Sequence, residues 1–141
     1  MNTIIPKKIY NTLNLYLQEK SIYSPNVINK ELKQTDKYPL VTVMEINDVP
    51  SQQTTKTRQR ETYSKLYFEI NIYAIDKAVG NKKISNVTIC NELKQLVDKV
   101  MSNYFQLDRT LCEPTPNVDK NIYRITMRYT ASVLENKNFL I

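Results

Sequence analysis

The chain has 141 residues, of which 41% are hydrophobic and ten are tyrosine, so it is long enough for one domain with a two-layer core and too apolar for a disordered segment. It has no histidine, one glycine and two cysteines without CxxC spacing, which removes Ser-His and Cys-His nucleophile pairs, most zinc chemistry and any glycine-rich phosphate loop. The formal charge of +6 is spread over both halves of the chain and not massed in one basic block, which argues against a dedicated DNA-binding face.

With Asp and Glu scattered singly, no catalytic, cofactor-binding or metal-ligating set emerges, and a non-enzymatic role is expected. No run of about 18 apolar residues suggests a membrane span, and Met1 to Lys8 contains no signal-peptide core, so a soluble, unexported protein without membrane contact is expected.

Thr3 is a candidate N-cap with Pro6 in the first turn, and Ile9, Leu13, Tyr16 and Leu17 then recur at helical spacing, predicting a helix from about Pro6 to Lys20. Between Ser21 and Lys37, Ser24-Pro25 interrupts the chain, and Val27, Ile28 and Leu32 are expected to line a short amphipathic helix. A β-branched, apolar run from Tyr38 to Ile46 reads as the first strand and ends at Asn47 to Pro50. Ser51 to Glu61 has no apolar residue and so nothing to bury against the cost of ordering it. Residues 49–63 are therefore expected to form an extended polar arm or a long hairpin loop.

The second strand is the clearest element: Leu66, Phe68, Ile70, Ile72 and Ala74 alternate with Tyr67, Glu69, Asn71 and Tyr73, so the first set faces the core. A turn around Gly80 follows over Lys77 to Lys83. Ile89, Leu93, Leu96, Val97, Val100, Met101 and Tyr104 then mark one stripe of a helix from Asn86 to Tyr104, capped by Ser85 or Asn86. Phe105 to Leu111 reads as a short strand, Pro114 and Pro116 as an extended turn, and the last strand begins near Asn121. In it Tyr123, Ile125, Met127, Tyr129, Ala131 and Val133 form the core face, opposite Arg124, Arg128 and their polar neighbours. The fold class is α+β: an antiparallel sheet of about four strands with two main helices on one face, in a single domain over residues 1–141.

Three segments, in order, resemble the tail-terminator or tail-completion proteins of long-tailed bacteriophages and prophages of Gram-positive bacteria. They are Tyr38-Pro-Leu-Val-Thr-Val-Met-Glu-Ile, Tyr67-Phe-Glu-Ile-Asn-Ile-Tyr-Ala, and the stretch from Phe105-Gln-Leu-Asp-Arg-Thr through Pro114-Thr-Pro-Asn to Ile122-Tyr-Arg-Ile-Thr-Met-Arg-Tyr. The resemblance runs from Tyr38 to Val133, and Tyr104 stands where the family commonly has glycine before the phenylalanine. It implies a structural virion protein at the tail-neck junction, assembled in the host cytoplasm. Such a protein forms a ring, expected to be a hexamer, that ends tail-tube growth and joins the tail to the head connector. Its implied partners are other copies of itself, the tail-tube protein and the connector or stopper protein, while genomic DNA passes through the lumen without specific binding.

Arg124 and Arg128 share one strand face and are candidates for a subunit or partner interface through acidic groups of a neighbour. Lys56, Arg58 and Arg60 are the densest basic cluster and are candidates for protein contact too, since strong phosphate contacts would retain passing DNA. A neck or connector stopper is the nearest alternative, and a basic DNA-binding accessory module is the alternative from another class. Cys90 and Cys112 are expected to be buried small apolar residues without a redox role.

Overall fold

The computed structural model describes residues 4–29, 37–50, 63–116, 119–134 and 139–140. Thr3, Leu32, the polar stretch 51–61 and the cluster Lys56, Arg58 and Arg60 lie outside the described residues.

Helix α1 spans Ile4–Lys20 and buries Ile9, Leu13 and Leu17, the i, i+4, i+8 stripe expected from the sequence. A left-handed Ser24 (φ 51°) turns the chain into β1, Asn26–Ile28. Val27 and Ile28 were expected in a helix. They form a strand instead, because the backbone pairs in parallel with the start of β2, Leu40–Pro50, placing Val27 opposite Val41 and burying it in the core. Asn26 N–H donates to Pro39 O at 2.9 Å, and the Tyr10 hydroxyl on α1 donates to Val27 O at 3.2 Å. Three residues of strand are thus held by tertiary bonds that no local periodicity records.

Strand β3, Tyr63–Ala74, lies at the middle of the main sheet, antiparallel to β2 on one side and to β7, Tyr123–Leu134, on the other. The path across the sheet is β1-β2-β3-β7-β6, with β6 at Asp108–Pro114 and the short β8, Phe139–Leu140, also pairing with β7. The four long strands are the expected antiparallel set. The parallel β1 makes the sheet mixed. The segment around Gly80 is a small hairpin, β4 (Lys77–Val79) with β5 (Lys82–Ile84), turned by Gly80 at φ 62°.

Helix α2, Asn86–Asp98, begins at Ser85, whose hydroxyl accepts the Thr88 N–H. From Lys99 to Tyr104 it continues as a π-helical segment, closed by Phe105 N–H to Val100 O at 3.0 Å. The wider turn changes the angular step between side chains. Val100 and Met101 stay in the core, but Tyr104, expected on the buried stripe, points to solvent, and Phe105 takes the buried place. The two rings meet edge-on at 4.9 Å. Gln106, left-handed at φ 57°, then reverses the chain, so β6 starts at Asp108 and not at Phe105.

One core lies between the sheet and the two helices. From β3 it takes Leu66, Phe68, Ile70 and Ile72, and from β7 Ile125, Met127 and Tyr129; α2 adds Ile89, Leu93 and Val97. Leu96 and Tyr123, expected in the core, are only partly buried at its margin. Fully burying each aliphatic or phenyl side chain contributes about 1.5–3 kcal/mol, so this layer is the main source of stability. Cys90 is buried and Cys112 half-buried, both as free thiols.

Candidate interaction faces

The register of the central strands determines what the face opposite the helices looks like. Glu69 pairs with Arg128, Asn71 with Thr126 and Tyr73 with Arg124 across β3 and β7. Side chains directly opposite on one face of an antiparallel pair are close enough to bond. Here they form one connected chain. The Thr115 hydroxyl donates to Thr126 Oγ1 at 2.6 Å, and Thr126 donates to Asn71 Oδ1 at 2.7 Å. Asn71 also accepts from Arg124 Nε at 3.0 Å and donates to Glu69 Oε2 at 3.1 Å. Glu69 Oε1 closes the run on Arg128 Nε at 3.0 Å.

Asn71 and Thr126 are buried polar residues, so bonds within the protein replace their water. Arg124 is fixed twice, by Asn71 and by the Tyr73 ring, whose centroid lies 5.4 Å from the guanidinium carbon. Burial pushes the Tyr73 hydroxyl above its ordinary range, against the lowering influence of Arg124. The two arginines named from the sequence do share a face. They are held by Glu69, Asn71 and Tyr73 of their own chain, residues that sequence reasoning placed on the strand without giving them a role.

Strand β6 adds Asp108 and Glu113 to the same side, by their pairing with Thr130 and Thr126. Arg124 and Arg128 therefore share this face with the carboxylates Glu69, Asp108 and Glu113. A surface of mixed sign with preset arginines suits another protein's polar surface better than a phosphate backbone, which selects massed positive charge.

The helical layer offers a different chemistry. Thr12, Leu15, Tyr16 and Glu19, one stripe of α1, face Lys99, Val100, Asn103 and Tyr104 of the π-helical segment across a groove of about 650 Å³. A second hollow of about 370 Å³, which shares Lys99 with the first, is lined by Ile22, Tyr23, Glu92 and Leu96 among others. At its end the Tyr23 hydroxyl donates to the Glu92 carboxylate, and burial together with that bond pushes the phenol up to about 12. Lys77 Nζ donates to Tyr23 O at 2.7 Å, tying the β4–β5 hairpin to the α1–β1 connection.

Behind these surfaces, Asp98 joins the end of α2 to the sheet. It accepts from Tyr129 at 2.7 Å and from Ser102 at 2.9 Å, and faces the Arg109 guanidinium at 3.5 Å. Burial and Asp98 both raise the Tyr129 hydroxyl well above the usual phenol range. Among the described residues no group of three His, Cys, Asp or Glu side chains is placed to hold a metal ion, and no helix is long and apolar enough to cross a membrane.

No protein-family model matches the chain, and a search of curated proteins finds no match.

Proposed function

We propose that this protein is a ring-forming tail terminator, which caps the tail tube, stops its polymerisation and presents a second surface to the head connector. The observation that carries the reading is where the three resembling segments fall. They make up β2, β3 and the β6–β7 pair, four adjacent strands of one sheet, whose side opposite α1 and α2 bears the Glu69–Arg128 and Asn71–Arg124 pairs. A cyclic assembly of more than two copies needs two unlike surfaces on each subunit. The apolar helical groove can serve as one of them, which leaves the mixed-charge sheet face for the tube or the connector.

The mechanism is recognition without chemistry. Arginines held in one orientation by their own strand neighbours lose little freedom on meeting a partner's carboxylates, so a rigid sheet face gives register and specificity. In the virion this surface would meet the last tube ring or the connector, while the genome passes without a strong phosphate grip.

Deletion of the gene from its phage tests the reading. The expected result is tails of uncontrolled length beside tailless heads in electron micrographs, reversed by the wild-type protein. Normal tail length in the deletion phage rules the function out.

A further inference from the structure

Six large apolar side chains stand exposed among the described residues, and the three most exposed of them, Leu15 (72%), Ile22 (67%) and Tyr104 (65%), border the two hollows between α1 and the end of α2. The two hollows share Lys99 and are taken together as the trough, with Tyr16 and Val100 lining the first and Leu96 the second. Two more of the six, Val87 (42%) and Ile75 (40%), sit at the opposite end of α2. Val87 is in the first turn of α2, and Ile75 precedes Asp76, whose Oδ1 accepts the Asn86 N–H at 2.8 Å. From Val87 to Tyr104 the helix axis runs roughly 25 Å. An apolar hollow thus lies at one end of α2 and a pair of exposed apolar side chains, the prominence, at the other.

Each end carries charges of both signs. Beside the prominence, the β4–β5 hairpin exposes Lys82 and Lys83, with Asp76 next to them at 4.0 Å from Lys83. The trough is lined by Glu19 and Lys20, 3.9 Å apart, and by Glu92 and Lys99. Hairpin lysines set against Glu19 and Glu92, with Asp76 set against Lys99, would bring opposite charges together.

We infer that the trough seats the Ile75–Val87 end of a second copy of this chain. The contact is heterologous: each copy offers its trough to one neighbour and its prominence to the other, so it repeats around a ring. The inference rests on the ring reading above and names the two surfaces that close the ring.

The test uses one variant for each surface, Leu15→Glu for the trough and Val87→Asp for the prominence. Both sites are exposed, and an acidic residue in the first turn of a helix is favourable, so both proteins should keep the wild-type circular dichroism and Tm. Should either fold poorly, Tyr104→Ser and Ile75→Ser take their places. Light scattering should give a closed oligomer for the wild type, a monomer for each variant alone, and twice the monomer mass for their equimolar mixture, because one intact trough then meets one intact prominence. A mixture that stays monomeric, variants that assemble like the wild type, or a wild type that is monomeric at every concentration reached would each overturn the inference. The terminator reading is decided separately by tail length in the deletion phage.

Discussion

Asn71 is the residue on which the outward sheet face depends. Its amide accepts from Thr126 and Arg124 and donates to Glu69, so removing it takes the acceptor from a buried hydroxyl and one of two holds from an arginine at once. Asn71→Ala should lower the unfolding free energy in urea by about 1–3 kcal/mol, the cost of leaving buried polar groups without partners. Tyr23 makes a prediction about pH. Its folded phenol titrates at about 12 against an ordinary 10, so between those values the unfolded chain has lost a proton that the folded one keeps. Stability should then fall as pH rises from about 10 to 12, and Tyr23→Phe should make that decline shallower in denaturant titrations. Burial likewise pushes the Cys90 thiol up to about 12, whereas Cys112 is half-buried. A thiol reagent at pH 8 should therefore modify Cys112 in the native protein and reach Cys90 only on unfolding. The alternation of strand residues already shows that Arg124 and Arg128 share a face. That they meet Glu69 and Asn71 depends on a pairing register between strands about fifty to seventy residues apart, which neither strand encodes by itself.

At the scale of elements, strong local periodicity was readable and tertiary decisions were not. Leu66 to Ile72 of β3, Ile125 to Tyr129 of β7 and the Ile89, Leu93, Val97 spacing in α2 supply the expected core face, because one long face in contact with the core imposes its period on the sequence. Asn71, Tyr73 and Thr126 of the other face are buried as well, which the alternation does not foretell. Leu93→Ala should cost about 2–5 kcal/mol by thermal or urea unfolding, since the side chain is fully buried and its removal leaves a cavity. Loss of the Ser85 cap in Ser85→Ala should cost about 1 kcal/mol. Val27 and Ile28 of β1 are too few to display a period of two, so their sequence does not distinguish strand from helix; pairing with β2 decides their conformation. The π-helical segment escaped for a related reason. Asp98 bonds Ser102 four residues on and Tyr129 on β7, so the sheet and the helix end meet at the point where the winding changes, and only then does Tyr104 leave the core stripe.

For the whole molecule, the α+β architecture follows from the sequence because two amphipathic helices and the long strands have only each other to cover their apolar faces. The helical trough had no such signature: Leu15 and Tyr104 are ordinary apolar residues until the chain places them on facing rims. A formal charge of +6 with carboxylates interspersed among the arginines of the outward face predicts weak duplex binding. Fluorescence anisotropy at physiological salt should give a dissociation constant no tighter than about 10⁻⁴ to 10⁻⁶ M for DNA of any sequence, the range of non-specific association. Nanomolar affinity would restore the DNA-binding alternative.

The central place of β3 also governs how fast this chain reaches its structure. Its pairing with β7 joins partners from Ala74 and Tyr123, 49 residues apart, to Tyr63 and Leu134, 71 apart, and α2 packs onto both strands. Neither α2 nor β6 has a complete surface to rest on until that distant pair has met. Loop-closure entropy is therefore spent before most of the apolar contacts that offset it can form. Refolding should fall in the milliseconds-to-seconds range of proteins rich in non-local contacts, not the microseconds of helical bundles. Substitutions at the β3–β7 seam, such as Ile70→Val, should slow refolding, whereas Ile9→Val on α1 should mainly speed unfolding.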